Sequence, residues 1–86
     1  MTIDFRKITV EDIEGNPIVV DVSKELGNDM YLNAQDIAEA DLGHDIYHNG
    51  EMELTDEQAA MVRKYVEKGF KAFVKKSLLP MLEKND

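Results

Sequence analysis

His44-Asp45-Ile46-Tyr47-His48 is the run in this chain whose spacing suits a metal. Two imidazoles four residues apart share one face of a helix, and both can ligate one cation. The order has the shape of H-E-x-x-H, with Asp where that motif carries its general-base Glu. Asp41 or Glu51 is the candidate third ligand. Three features weigh against a hydrolase. Asp is one methylene shorter than Glu. No further His follows to complete the set. Asn49-Gly50 closes the segment, and the helix dipole alone favours His in a last turn. His44 and His48 are the metal candidates, with no resident metal or cofactor expected.

Other chemistries find less to stand on. The chain has no Cys, which removes thiolate ligands, disulfides and cysteine nucleophiles. Asp36, Glu39, Asp41, Asp45, Glu51, Glu53, Asp56 and Glu57 are numerous but read as a solvated acidic surface. Paired carboxylates act as acid and base only where burial separates their pKa values. Gly15, Gly27, Gly43, Gly50 and Gly69 are isolated, so no glycine-rich phosphate loop forms. Ser23 and Ser77 lack a His partner. No EF-hand spacing is present. The expectation is a protein that is not an enzyme.

Charge is divided along the chain. Residues 1–57 hold 3 Lys/Arg against 15 Asp/Glu, a net of −12. Residues 58–86 hold 7 against 3, a net of +4. An acidic body repels phosphate, so direct nucleic-acid binding is not expected. The basic residues Arg63, Lys64, Lys68, Lys71, Lys75 and Lys76 read first as a solvated face whose stems cover apolar surface. The sharper reading is a docking face for an acidic partner, or for the acidic body of a second copy. The first residues lack an apolar signal segment, and no run reaches the ~20 apolar residues of a membrane span. A cytoplasmic protein without membrane contact is expected.

The positioning elements follow from pattern. With 86 residues the chain makes one domain, residues 1–86. Residues 3–22 alternate as strands around the turn signal Glu14-Gly15-Asn16-Pro17. Keeping Ile8 and Val10 on one face with Val20 and Val22 requires an odd loop, expected as three residues or with a bulge near Ile13, with Val10 opposite Val20 and Ile8 opposite Val22. Ile3 and Phe5 have the other parity, so a bulge flips them or they form a separate extension. Ser23 is the expected cap of a helix over 24–32. Asn33 is the expected cap of a second over 34–48, carrying Ala34, Ile37, Ala38, Leu42 and Ile46 on its face. Gly27, Asn28 and Gly43 weaken both. Thr55 and Gln58 form a capping box, and apolar periodicity from Ala59 to Leu82 predicts one long helix over 56–84, kinked near Pro80. The fold class is therefore α+β: an N-terminal β-hairpin on two short helices and one long C-terminal helix.

The order of these pieces resembles small uncharacterised proteins encoded in prophage and mobile-element clusters of gut bacteria. The carrying residues are the hairpin, Asp21 to Asn28, Asp45 to Gly50 and Glu53 to Gln58. That resemblance implies an assembly or regulatory setting and brings no functional residues with it. The function expected is a protein–protein interaction module, with a protein partner or a homo-oligomer. The alternative is a small acidic regulator that blocks a basic nucleic-acid-binding surface on another protein. The expected interaction residues are Leu78, Leu79, Met81 and Leu82 beside Pro80, with Lys68, Lys71 and Lys75 on the basic face. Whether those apolar residues meet a partner or the core is open from pattern alone.

Overall fold

A computed structural model describes residues 1–83. Lys84, the last residue of the expected long helix, lies outside them. The element order is β1 (Thr2–Asp4), β2 (Ile8–Glu11), β3 (Pro17–Val20), α1 (Ser23–Asn33), α2 (Ile37–Asn49), β4 (Glu51–Glu53), α3 (Asp56–Gly69) and α4 (Ala72–Leu82). The α+β composition stands. The expected arrangement, one hairpin on two short helices and a single long C-terminal helix, does not.

Two separate two-stranded sheets replace the single hairpin. β1 pairs antiparallel with β4, with Ile3 opposite Met52. The ladder is extended by the Met1 amino group on the Leu54 carbonyl at 2.9 Å and Leu54 N–H on the Met1 carbonyl at 2.6 Å. Ile3 and Phe5 thus belong to an extension of their own. A tight turn at Arg6-Lys7, in which Asp4 accepts from the Arg6 N–H and guanidinium, separates it from β2.

β2 and β3 form the expected hairpin, with a different register. Ile8 lies opposite Val20 and Val10 opposite Ile18. The loop has the required odd parity but spans residues 12–16 instead of the expected three. The Asp12 carboxylate holds it by accepting from the Glu14 and Asn16 N–H groups, both at 2.9 Å. Gly15 supplies the positive φ of +86° that this turn needs. Val22, expected opposite Ile8, instead donates its N–H to the Phe5 carbonyl at 2.8 Å and starts α1.

α1 and α2 cross at two glycines. A Cβ on Gly27 would sit 2.6 Å from the Gly43 carbonyl oxygen and 2.7 Å from the Tyr47 Cβ. A Cβ on Gly43 would sit 2.8 Å from the Gly27 carbonyl oxygen. The residues that counted against these helices on propensity are the ones that let them touch. The caps also differ from expectation. Ser23 lies inside α1 and donates its Oγ–H to Asp21 Oδ1 at 2.6 Å. Asp36, not Asn33, caps α2 by accepting from the Glu39 N–H at 2.9 Å. The face of α2 turned inward is Glu39, Leu42, Gly43 and Ile46, while Ile37 and Ala38 are exposed.

The long helix is two helices. The Thr55–Gln58 capping box is present, and α3 ends at Gly69. Phe70 is extended, with φ −117° and ψ 155°, and Lys71 precedes α4 without a side-chain cap. An unbroken helix over 56–84 would be about 44 Å long, whereas the longest dimension of the molecule is 41 Å. Its far half would leave the core. The break turns Val74, Leu78 and Leu82 back under β2, where they meet Ile8 and Val10. α4 then runs through Pro80 to Leu82. The resulting core joins Phe5, Ile8, Val10, Leu26, Met30, Ile46, Val62, Val66, Leu78 and Leu82, all fully buried.

Candidate functional site

Three places on the molecule gather chemistry. The first is the histidine pair. α2 places His44 and His48 on its exposed face with ring centroids 4.4 Å apart. Tyr31 and Tyr47 flank them, and Lys24 Nζ stands 4.2 Å over the Tyr47 ring. The Gly27–Gly43 crossing brings Tyr31 of α1 alongside. Neither Asp41 nor Glu51 completes the set. Among the described residues no group of three or more His, Cys, Asp or Glu is placed to hold a metal ion. Two imidazoles supply half of a tetrahedral zinc site.

The second is a cleft of about 610 Å³ between the α1–α2 turn and α3. Glu39 lies on its floor, nearly buried, contrary to the reading of all these carboxylates as solvated. Its Oε1 accepts from the Tyr65 hydroxyl at 2.8 Å and its Oε2 from Lys64 Nζ at 3.1 Å. No buried side-chain polar atom among the described residues lacks a partner. This triad ties α2 to α3, since an unpaired carboxylate at this depth is costly. The residue pattern gave no signal for it, because the partners are 25 and 26 positions apart.

Burial, then the bond to Glu39, pushes the Tyr65 phenol up to about 12. The phenol is neutral when protonated. Its raised pKa therefore favours the folded state below the unfolded value of about 10. That contribution fades as pH rises from there through the folded value. In an ultraviolet titration one tyrosine should ionise near 12, and Tyr65→Phe should remove that step. A wild-type chain with every phenolate formed near ~10 while still folded would contradict this geometry.

The third place is the groove between the hairpin and α4, about 540 Å³, lined by Glu11, Asp12, Ile13, Ile18, Phe73 and Lys76, among others. Alternation along the strands sends Ile8, Val10, Ile18 and Val20 to one face of the hairpin. α4 lies under β2 and covers Ile8 and Val10 completely. β3 overhangs it, so Ile18 on the same face stays 42% exposed. Phe73, on the outward side of α4, is 47% exposed, and Ile13 at the hairpin tip is 102% exposed. The walls differ in charge. Glu11 and Asp12 stand on the hairpin wall and Lys76 on the helix wall. Hydrogen bonds from the loop N–H groups, that of Asn16 first, hold the Asp12 carboxyl below its ordinary pKa.

The residues expected to meet a partner are divided by this arrangement. Leu78 and Leu82 are both 0% exposed and belong to the core. Leu79 is half-buried against the core, and Met81 is exposed. Lys71 is exposed. Lys75 donates to the Glu67 carbonyl across the α3–α4 break at 3.2 Å. Lys68 lines the Glu39 cleft instead. Ile18 and Phe73 were expected on inward faces and are exposed instead. Phe73 fell on the apolar stripe of a helix that does not exist as one piece.

Among the described residues no helix is long and apolar enough to cross a membrane. Comparison of the chain with protein-family models, curated proteins and solved structures gave no match.

Proposed function

We propose that this chain is a non-enzymatic protein-interaction module that docks through the groove between its hairpin and α4. The observation that carries the reading is the half-covered hairpin. A strand face bearing Ile18 is left open beside an outward Phe73 and an apolar residue at the hairpin tip. Exposed apolar side chains grouped in this way, with charges at the rim, are the anatomy of a binding surface. The expected apolar contacts shift accordingly, from Leu78 and Leu82 to Ile13, Ile18 and Phe73.

A photo-crosslinking phenylalanine analogue at position 73, in cells that make the protein, tests this. The expected result is a discrete adduct that disappears when Ile18→Lys is added, with the helical circular dichroism unchanged. The same analogue in place of Ile37, exposed on α2, should give none. Failure to form any adduct at position 73 would overturn the reading. So would adducts that survive Ile18→Lys.

A further inference from the structure

The groove is bounded by an open strand edge, and that edge names an occupant. In the hairpin ladder Asp12 N–H donates to the Asn16 carbonyl at 3.0 Å. Residue pairs in an antiparallel ladder alternate between bonded and non-bonded. Val10–Ile18 and Ile8–Val20 then fall in the bonded class, and Thr9–Val19 and Glu11–Pro17 in the other. The Val19 N–H and C=O therefore point away from β2. Among the described residues β3 pairs with no strand on that side. Val19 is also 62% exposed. Pro17 has no N–H, so it partly blunts the edge, as prolines on edge strands do. One full donor–acceptor residue remains.

From this edge, and resting on the reading of the groove as a docking face, we infer that the occupant is a second copy of this chain. The two β3 strands pair antiparallel about Val19. Under a two-fold axis, Val19 of each copy exchanges both main-chain bonds with Val19 of the partner copy. The product is a four-stranded sheet with an α4 beneath each outer strand. Ile18 and Phe73 of both copies meet along the seam.

Two considerations favour a second copy over an unrelated partner. A single two-stranded hairpin is marginal in water, and doubling it gives a sheet with a continuous apolar face. The groove carries both signs of charge, Glu11 and Asp12 opposite Lys76. A surface with both signs can face its own copy without meeting a single sign throughout, whereas a uniformly basic or acidic partner meets a like charge on one wall. Covering the exposed parts of Ile18, Val19 and Phe73 on both copies removes only on the order of 600 Å², below the ~1,000 Å² of a specific stable interface. The association is thus of the weak, concentration-dependent class. Each copy carries a net −8, so added salt should strengthen it by screening the repulsion.

The natural chain has no Cys, so single-cysteine variants report cleanly. Purified Val19→Cys and Ile37→Cys are exposed to oxidised glutathione, and covalent dimer is followed on a non-reducing gel. Val19→Cys should dimerise at least tenfold faster, and further addition of Phe73→Glu should erase the difference. Equal rates for the two single variants would overturn the second-copy inference. Crosslinking at position 73 separates this outcome from the broader reading. An adduct of other than twice the chain mass, with equal cysteine rates, rejects self-pairing and leaves the docking face standing. No adduct of any mass, with equal rates, rejects both.

Discussion

Gly27→Ala lowers the melting temperature by roughly 10 °C, against the sign that helix propensity gives. Alanine in place of glycine in a helix interior is worth about 1 kcal/mol of added stability on propensity. At this position the new methyl group falls 2.6 Å from the Gly43 carbonyl oxygen and 2.8 Å from the Tyr47 backbone nitrogen. Both are main-chain atoms of α2 and cannot rotate aside. α1 and α2 must separate, which pulls Leu26 and Met30 away from Ile46. Overpacking of this kind costs about 1–3 kcal/mol. Because backbone rather than side chain is struck, the upper part of that range applies, leaving a net loss of about 2 kcal/mol. Asn28→Ala, one position on and exposed, is the control and should be neutral or slightly stabilising. A Gly27→Ala chain as stable as that control would mean that the helices do not cross at the glycines.

Leu78→Ala removes about half of the chain's stability, while Met81→Ala leaves it unchanged. Both sit on α4 and looked equivalent by pattern, flanking Pro80 in an apolar helix end. Leu78 is wholly enclosed by the core, whereas Met81 is 42% exposed. Truncating a buried leucine costs about 2–5 kcal/mol, including the cavity left behind. Marginal stability for a domain of this size is on the order of 5–10 kcal/mol. The loss is thus a large fraction of the total, and the denaturant midpoint should fall by about half. Surface changes such as Met81→Ala stay within ~0.5 kcal/mol. Comparable midpoints for the two variants would contradict the packing of α4 under β2.

What could be read from the residues was local. The capping box at Thr55 and Gln58, the end of α2 at Gly50 and the odd parity of the hairpin loop all appear as their sequences indicate, although Gly50 is not αL and the loop is longer than three residues. Each depends on neighbours within a few positions. The misreadings have three physical origins. The pairing of β1 with β4 joins residues about fifty positions apart, and the alternation in Glu51-Met52-Glu53-Leu54 is too short to announce a strand. The α3–α4 break is hidden because apolar spacing continues through it. Phe70 and Val74 keep the helical period while the backbone between them turns. Gly27 and Gly43 were weighed by propensity, whereas their effect is steric and lies between helices. The site suffered most from the second of these. With the helix drawn straight, Leu78 and Leu82 stood equally well for core or partner contact and Phe73 looked like core, whereas the structure buries the two leucines and exposes Phe73. The edge of β3 could be foreseen only in general, since two strands always leave two edges.

The central claim is that the open hairpin edge and the groove beside it form the working surface, with a second copy as occupant. Sedimentation equilibrium of the purified chain over a hundredfold concentration range, at low and moderate salt, tests it most directly. The wild-type mass should rise toward that of a dimer with concentration, and more so at the higher salt. Val19→Lys should hold the mass of one chain throughout, with its fold intact. A wild type that stays monomeric at every concentration and salt, or a Val19→Lys chain that associates as well as the wild type, would contradict the account.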